Sequence, residues 1–131
     1  MTPGASALTE TTTVAEAAMR MKISGVGSLP LCDETGRLLG MVTAREVLRI
    51  VRALDSHAQN FKARDLIRDG VATVQLEDSI ESALATMALQ EHTRLPVLSG
   101  KVLVGVLSRD DIGRAGPAIQ VEELLGIIAQ T

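Results

Sequence analysis

Thr13-Val14-Ala15-Glu16-Ala17-Ala18-Met19-Arg20-Met21 sets Val14, Ala17, Ala18 and Met21 at i, i+3, i+4 and i+7, the spacing of one helix face. Shifted by 66 residues, Ile80, Ala83, Leu84 and Met87 draw the same face. Both helices open alike, with Thr13 three residues before Glu16 and Asp78 three residues before Glu81, each read as a capping side chain followed by the acid of a capping box. The same shift lays Leu29-Pro30-Leu31 over Leu95-Pro96-Val97, each opening a short apolar strand. The strands turn through Asp33-Glu34-Thr35-Gly36 and the shorter Ser99-Gly100-Lys101. Beyond the turns the shift is 65, and Leu38-Leu39-Gly40-Met41-Val42-Thr43 falls on Leu103-Val104-Gly105-Val106-Leu107-Ser108. A repeat of this extent is a property of the fold.

Each copy therefore reads helix, strand, strand, helix, preceded by an extended lead-in near Ala7-Leu8 and Thr73-Val74. The expected organisation is a first motif over 7–54, a connector and lead-in over 55–72, a second motif over 73–114 and a last helix within 115–131. Val47, Leu48, Val51 and Leu54 form an apolar stripe in the first closing helix, whereas the second is interrupted at Gly113 and stopped by Gly116-Pro117. Phe61 is expected to pin the connector down. Met19, Met21, Met41 and Met87 are expected to pack in the core, as is Cys32. A half of about 65 residues is marginal alone, so the halves are expected to share a core.

The 131 residues are 46% hydrophobic and 22% charged, with one Phe and no Trp or Tyr. Such a chain has no row of rings for stacking on single-stranded nucleic acid. Its net charge of −3 argues against nucleic acid as well. Residues 1–65 hold eight Lys and Arg against seven Asp and Glu, and residues 66–131 hold five against nine, so neither half is a basic module. The longest uncharged stretch is the ten residues between Lys22 and Asp33, too short for a membrane helix. With no leader pattern at the N-terminus, the expected compartment is the cytoplasm. Cys32, His57 and His92 make no metal-ligand spacing, so no metal is expected. No nucleophile or general base is held by partners, so no enzyme is expected.

Candidate chemistry sits at the end of the second hairpin strand. Gly40, Thr43 and Glu46 in one copy, and Gly105, Ser108 and Asp111 in the other, place a hydroxyl and then an acid at the start of a helix. One reading is an anion and ribose site, in which the hydroxyl and helix amides meet phosphate, the acid accepts from a ribose diol, and Arg45 or Arg109 reaches phosphate. The other is structural, with Thr43 and Ser108 as ordinary caps.

The doubled pattern of capped helix, Leu-Pro strand, Gly and hydroxyl before an acid resembles a tandem pair of cystathionine beta-synthase (CBS) domains, the Bateman module, over about residues 7–114. That resemblance implies an α/β (α+β) fold of two pseudo-twofold-related motifs, each a small three-stranded sheet packed with two helices. It also implies a homodimer of such pairs and a stand-alone regulatory module that senses AMP, ADP, ATP, S-adenosylmethionine or NAD and signals to an effector protein, with no required cofactor. Carried over, Ser108, Arg109 and Asp111 would work with Val26, Gly27, Ser28, Pro30 and Ala7. A second, weaker site would join Thr43, Arg45 and Glu46 to Ala72, Thr73, His92, Thr93 and Pro96. Asp111 fits the family's ribose-binding acid, while Glu46 departs from it by one methylene. Val26-Gly27-Ser28 is small enough to bring backbone groups to an adenine edge. His92 and Arg94 either contact phosphate or fill the cleft. The rival to a ligand sensor is a ligand-free dimerisation and interaction module.

Overall fold

The structure, a computed structural model, describes residues 7–67, 71–90, 94–113 and 120–124. It divides into two compact units, Ser6–Val71 and Ala72–Thr131. The first holds α1 (Val14–Ser24), β1 (Ser28–Cys32), β2 (Leu38–Thr43) and α2 (Ala44–Leu54), followed by 3₁₀ turns over Asp55–Asn60 and Ala63–Leu66. The second holds β3 (Val74–Gln75), α3 (Ile80–Gln90), β4 (Arg94–Ser99), β5 (Val102–Ser108) and α4 (Arg109–Gly113), with 121–124 helical. Helix and strand thus recur in the order that the repeat predicts.

α1 starts where its cap is. Thr13 Oγ1 accepts from the Glu16 amide at 3.1 Å and Glu16 Oε1 accepts from the Thr13 amide at 3.4 Å, closing the expected capping box. The helix ends at Gly25, whose φ of 68° lets its N–H reach back to the Met21 carbonyl. α3 is capped one residue later than expected. Ser79 Oγ accepts from the Ser82 amide at 3.1 Å, while Asp78 turns away and accepts from the Gln75 amide at 2.9 Å. The reason is register: Ser79 lies 66 residues after Thr13, and Asp78 is taken by the turn from β3.

β1 and β2 form an antiparallel pair, with Ser28 opposite Thr43 and Leu31 opposite Gly40. β4 and β5 pair in the same way, with Arg94 opposite Ser108 and Val97 opposite Gly105. A register break follows at the equivalent place in each, after Leu31 and after Val97, so even this irregularity is doubled. β3 adds a parallel third strand beside β4. In the first unit the lead-in makes a single parallel bridge, Leu8 to Leu31, through Leu8 N–H to the Pro30 carbonyl (2.7 Å) and Cys32 N–H to the Leu8 carbonyl (2.9 Å).

Each unit has its own aliphatic core, and the two are built from equivalent positions. Leu8 and Val74, Val14 and Ile80, Ala17 and Ala83, Met21 and Met87, Leu29 and Leu95, and Val42 and Leu107 are all buried. The segment that follows each second helix is also doubled. Ala63 N–H donates to the Thr12 carbonyl and Val121 N–H to the Asp78 carbonyl, both at 2.9 Å, and Ala63 and Val121 are both fully buried. Ala63-Arg64-Asp65-Leu66 and Val121-Glu122-Glu123-Leu124 carry the matching pattern, at a shift of 58 that the strand register conceals.

Several expected packing residues lie elsewhere. Met19 is 57% exposed because it stands two residues, about 200°, from both Ala17 and Met21 on α1. Leu84 and Leu48 border their helices' buried stripes and are 42% and 46% exposed. Met21 and Met87 are buried and Met41 is half-buried. The Phe61 ring is 43% exposed, and the connector is instead tied by its backbone, the Phe61 carbonyl accepting from Val14 N–H at 2.8 Å, and by buried Ala58 and Ala63. Cys32 is buried as expected.

Candidate functional site

Within the second unit, Ser108 ends β5 and Asp111 lies one turn into α4, and the two cap each other. Asp111 Oδ2 accepts from the Ser108 amide and Ser108 Oγ accepts from the Asp111 amide, both at 3.1 Å. The structural reading of this pair is therefore realised. It leaves two groups unused: a hydroxyl that accepts from an amide keeps its own proton to donate, and Asp111 Oδ1 has no partner among the described residues. A donor and a charged acceptor are presented side by side, as a sugar hydroxyl or a phosphate beside a sugar requires. Arg109 and Asp110 lie between them in the chain, both exposed.

Thr43 and Glu46 occupy the equivalent place in the first unit with a different outcome. Thr43 Oγ1 accepts from the Glu46 amide at 3.4 Å, and the longer Glu46 side chain reaches Arg49, whose guanidinium donates to Oε2 at 2.7 Å. Glu46 is 14% exposed there and Arg49 68%. The sequence reading missed this pair, although an acid and a base three apart on a helix are its signal. Arg45 is exposed beside them.

The other expected residues fall as follows. Gly27 offers its carbonyl to the Ala44 amide at 2.8 Å, so one of the backbone groups expected at an adenine edge also anchors the start of α2. Ser28 is half-buried opposite Thr43, Val26 is half-buried and Pro30 is buried. The Ala7 carbonyl accepts from Arg20 Nη1 at 3.2 Å. In the second unit Ala72 packs on the core, Thr73 precedes β3 half-buried, and Pro96 is buried opposite Val106. Arg94, opposite Ser108, has a buried Nε with no hydrogen-bond partner. His92 and Thr93 lie outside the described residues. Among the described residues no three His, Cys, Asp or Glu stand together as a metal site, and no helix is long and apolar enough to cross a membrane.

The family model for the CBS domain matches residues 1–53 and again 63–117. The chain belongs to the CBS-domain family. Hypoxic response protein 1 of Mycobacterium tuberculosis is 32% identical over 117 residues, covering 89% of this chain and 82% of that protein. A crystal structure of Hypoxic Response Protein I with two coordinated zinc ions superposes with a TM-score of 0.74 at 33% identity, over 87% of this chain and 93% of that one. The crystal structure of CBSX2 in complex with AMP superposes with a TM-score of 0.73 at 25% identity, over 87% of this chain and 90% of that one. The mixed fold of small sheets and helices is thus that of a CBS pair, and such pairs are generally regulatory.

Proposed function

We propose that this CBS pair is a non-enzymatic regulatory module of the cytoplasm that binds an adenosine-containing ligand, of the AMP, ADP, ATP or S-adenosylmethionine type, and acts as a homodimer on an effector protein. The observation that carries the reading is the Ser108–Asp111 pair, which keeps a hydroxyl donor and a carboxylate oxygen available after capping its own helix. The likeness to CBSX2, crystallised in complex with AMP, supports an adenosine ligand. We assign Ser108, Arg109 and Asp111 to ribose and phosphate. Thr43, Arg45 and Glu46 form the weaker site, since a ligand there must compete with Arg49 for the acid.

One observation favours the rival reading of a ligand-free interaction module: Ser108 and Asp111 already satisfy each other as a cap. Thermal unfolding with millimolar AMP, ATP, S-adenosylmethionine and NAD separates the two. A ligand at a thousandfold excess over its Kd stabilises the folded chain by about 4 kcal/mol. The expected result is a raised midpoint with at least one of the four, lost in Asp111→Ala and kept in Glu46→Ala. No shift with any of the four overturns the sensor and leaves the interaction module.

A further inference from the structure

A depression of about 560 Å³ on the outer side of α2 is lined by Arg45, Arg49 and Arg52, with Leu48 and Ala53 beside them. All five residues are exposed. The arginines follow one another at i, i+4 and i+7, so they form a single stripe whose Cα atoms spread over about 10 Å of the helix. Glu46 pairs with Arg49 at 2.7 Å, while Arg45 and Arg52 have no acidic partner among the described residues. Three arginines against one glutamate leave the stripe positive, on a chain whose net charge is −3.

The fold has no use for this stripe. Its arginines stand about 140–160° around the helix from buried Val47, away from the core that Val47, Ile50 and Val51 join. Like charges three and four residues apart oppose the helix that carries them. The repeat does not preserve them either: at the shift of 65, Asp110 stands in the place of Arg45 and Pro117 in the place of Arg52, and only Arg114 matches Arg49. A row of cations that works against its own helix and belongs to one copy alone is explained by what it binds.

The chemistry of the row names the ligand. A guanidinium fork gives two parallel hydrogen bonds to a phosphate, and a row of forks matches a row of phosphates where a single one meets only part of it. The volume lies in the range of small-molecule sites, roughly 300–1,000 Å³. A nucleic-acid strand fits less well, because the chain has no row of rings on which bases stack. We propose that the α2 stripe binds a linear chain of condensed phosphates, three or more units long, supplied as a free oligophosphate or as the phosphate tail of a nucleotide. This goes beyond the adenosine reading: the stripe shares only Arg45 with the weaker adenosine site and uses neither Ser108 nor Asp111.

Isothermal titration of the full chain with sodium tripolyphosphate, orthophosphate and citrate tests it. One tripolyphosphate is expected per chain, bound about tenfold or more tighter than orthophosphate or citrate, and more weakly as salt rises. Arg45→Gln with Arg52→Gln weakens it by about tenfold or more. Arg37→Gln with Lys101→Gln, which removes the same charge from exposed positions elsewhere, leaves it unchanged. Because the stripe opposes its helix, the Arg45→Gln/Arg52→Gln protein melts no lower than wild type, which shows that it is folded. Citrate binding as tightly, equal losses in the two double variants, or no binding of tripolyphosphate each overturn the proposal. ATP bound more tightly than tripolyphosphate, and weakened by Arg45→Gln/Arg52→Gln, identifies a nucleotide tail, and ATP bound less tightly identifies a free oligophosphate. A thermal shift with adenosine ligands that Asp111→Ala abolishes, in a chain that ignores tripolyphosphate, keeps the adenosine reading and removes this site; tripolyphosphate binding without such a shift does the reverse.

Discussion

Asp33 gathers three donors on one carboxylate oxygen: the Thr35 hydroxyl at 2.6 Å, the Thr35 amide at 2.9 Å and the Arg37 amide at 3.0 Å. The Thr35 hydroxyl bond is the main cause that holds its pKa below the ordinary carboxylate value, with the Arg37 and Thr35 amides adding to it. A depressed value in the folded state stabilises the fold above the unfolded carboxylate's range, and that stabilisation fades as pH falls through the folded value. Urea melts over the acid range are therefore expected to show wild type losing ground to Asp33→Asn as pH drops; parallel curves would remove Asp33 from the account. Its neighbour Cys32 behaves in the opposite sense. Burial, and then the Asp33 charge, push the thiol up, so at neutral pH it is protonated as well as covered. A disulfide reagent should label Cys32 only in denaturant, and rapid labelling of the native protein would contradict its burial. In the Ser108–Asp111 pair the helix cap and the proposed ligand site fall on the same two side chains. Ser108→Ala is expected to cost about 1 kcal/mol of stability without ligand through the lost cap. A denaturation midpoint equal to wild type would mean that the cap carries no stability.

The hairpin turns show how an element is fixed by a few backbone facts. Gly36 and Gly100 have φ of 87° and 66°, where other side chains are strained. Around Gly100 there is open space for a methyl group, so the cost of Gly100→Ala is conformational alone, about 1 kcal/mol. Gln75 then grips the same turn from β3, its Nε2 donating to the Gly100 carbonyl and its Oε1 accepting from the Gly100 amide, both at 3.1 Å. Gln75→Ala is expected to release the turn at about 1 kcal/mol, since each net hydrogen bond is worth roughly that or less at an exposed position. Hydrogen exchange at Gly100 checks it: faster exchange with the rest of the sheet unchanged supports the grip, and unchanged exchange refutes it. The sequence made the glycines and the strand pairs legible because turn residues and alternating burial are local signals. Gln75 was not legible, because its partner lies in a turn 25 residues away. The cap of α3 falls one residue from where the sequence pattern puts it, since Asp78 and Ser79 are both good caps and only the turn from β3 decides between them. Met19 and Phe61 are exposed despite their apolar character, because a helix angle of about 200° and a backbone-held connector override it.

At the scale of the whole chain, the doubled core sets what unfolding should look like. Leu29 and Leu95 are equivalent, each opening its unit's central hairpin strand, and they are 1% and 0% exposed. Truncating either to alanine removes the same buried volume and is expected to cost about 2–5 kcal/mol. A unit of this size buries only about 60% of its unfolded surface and is marginal alone. Neither core has aromatic rings to add to its burial, because Phe61, the one aromatic residue of the chain, is exposed. If each unit depends on the other for net stability, Leu29→Ala and Leu95→Ala lower the midpoint of one shared transition by similar amounts, whichever unit carries the change. If the units are self-sufficient, each substitution splits the curve and moves only its own half. Denaturant melts followed by far-ultraviolet circular dichroism, with hydrogen exchange at Leu31 and Val97 as unit-specific probes, distinguish these outcomes. The shared transition is the expected one, since a unit of about 65 residues buries too little surface to keep a net stability of its own.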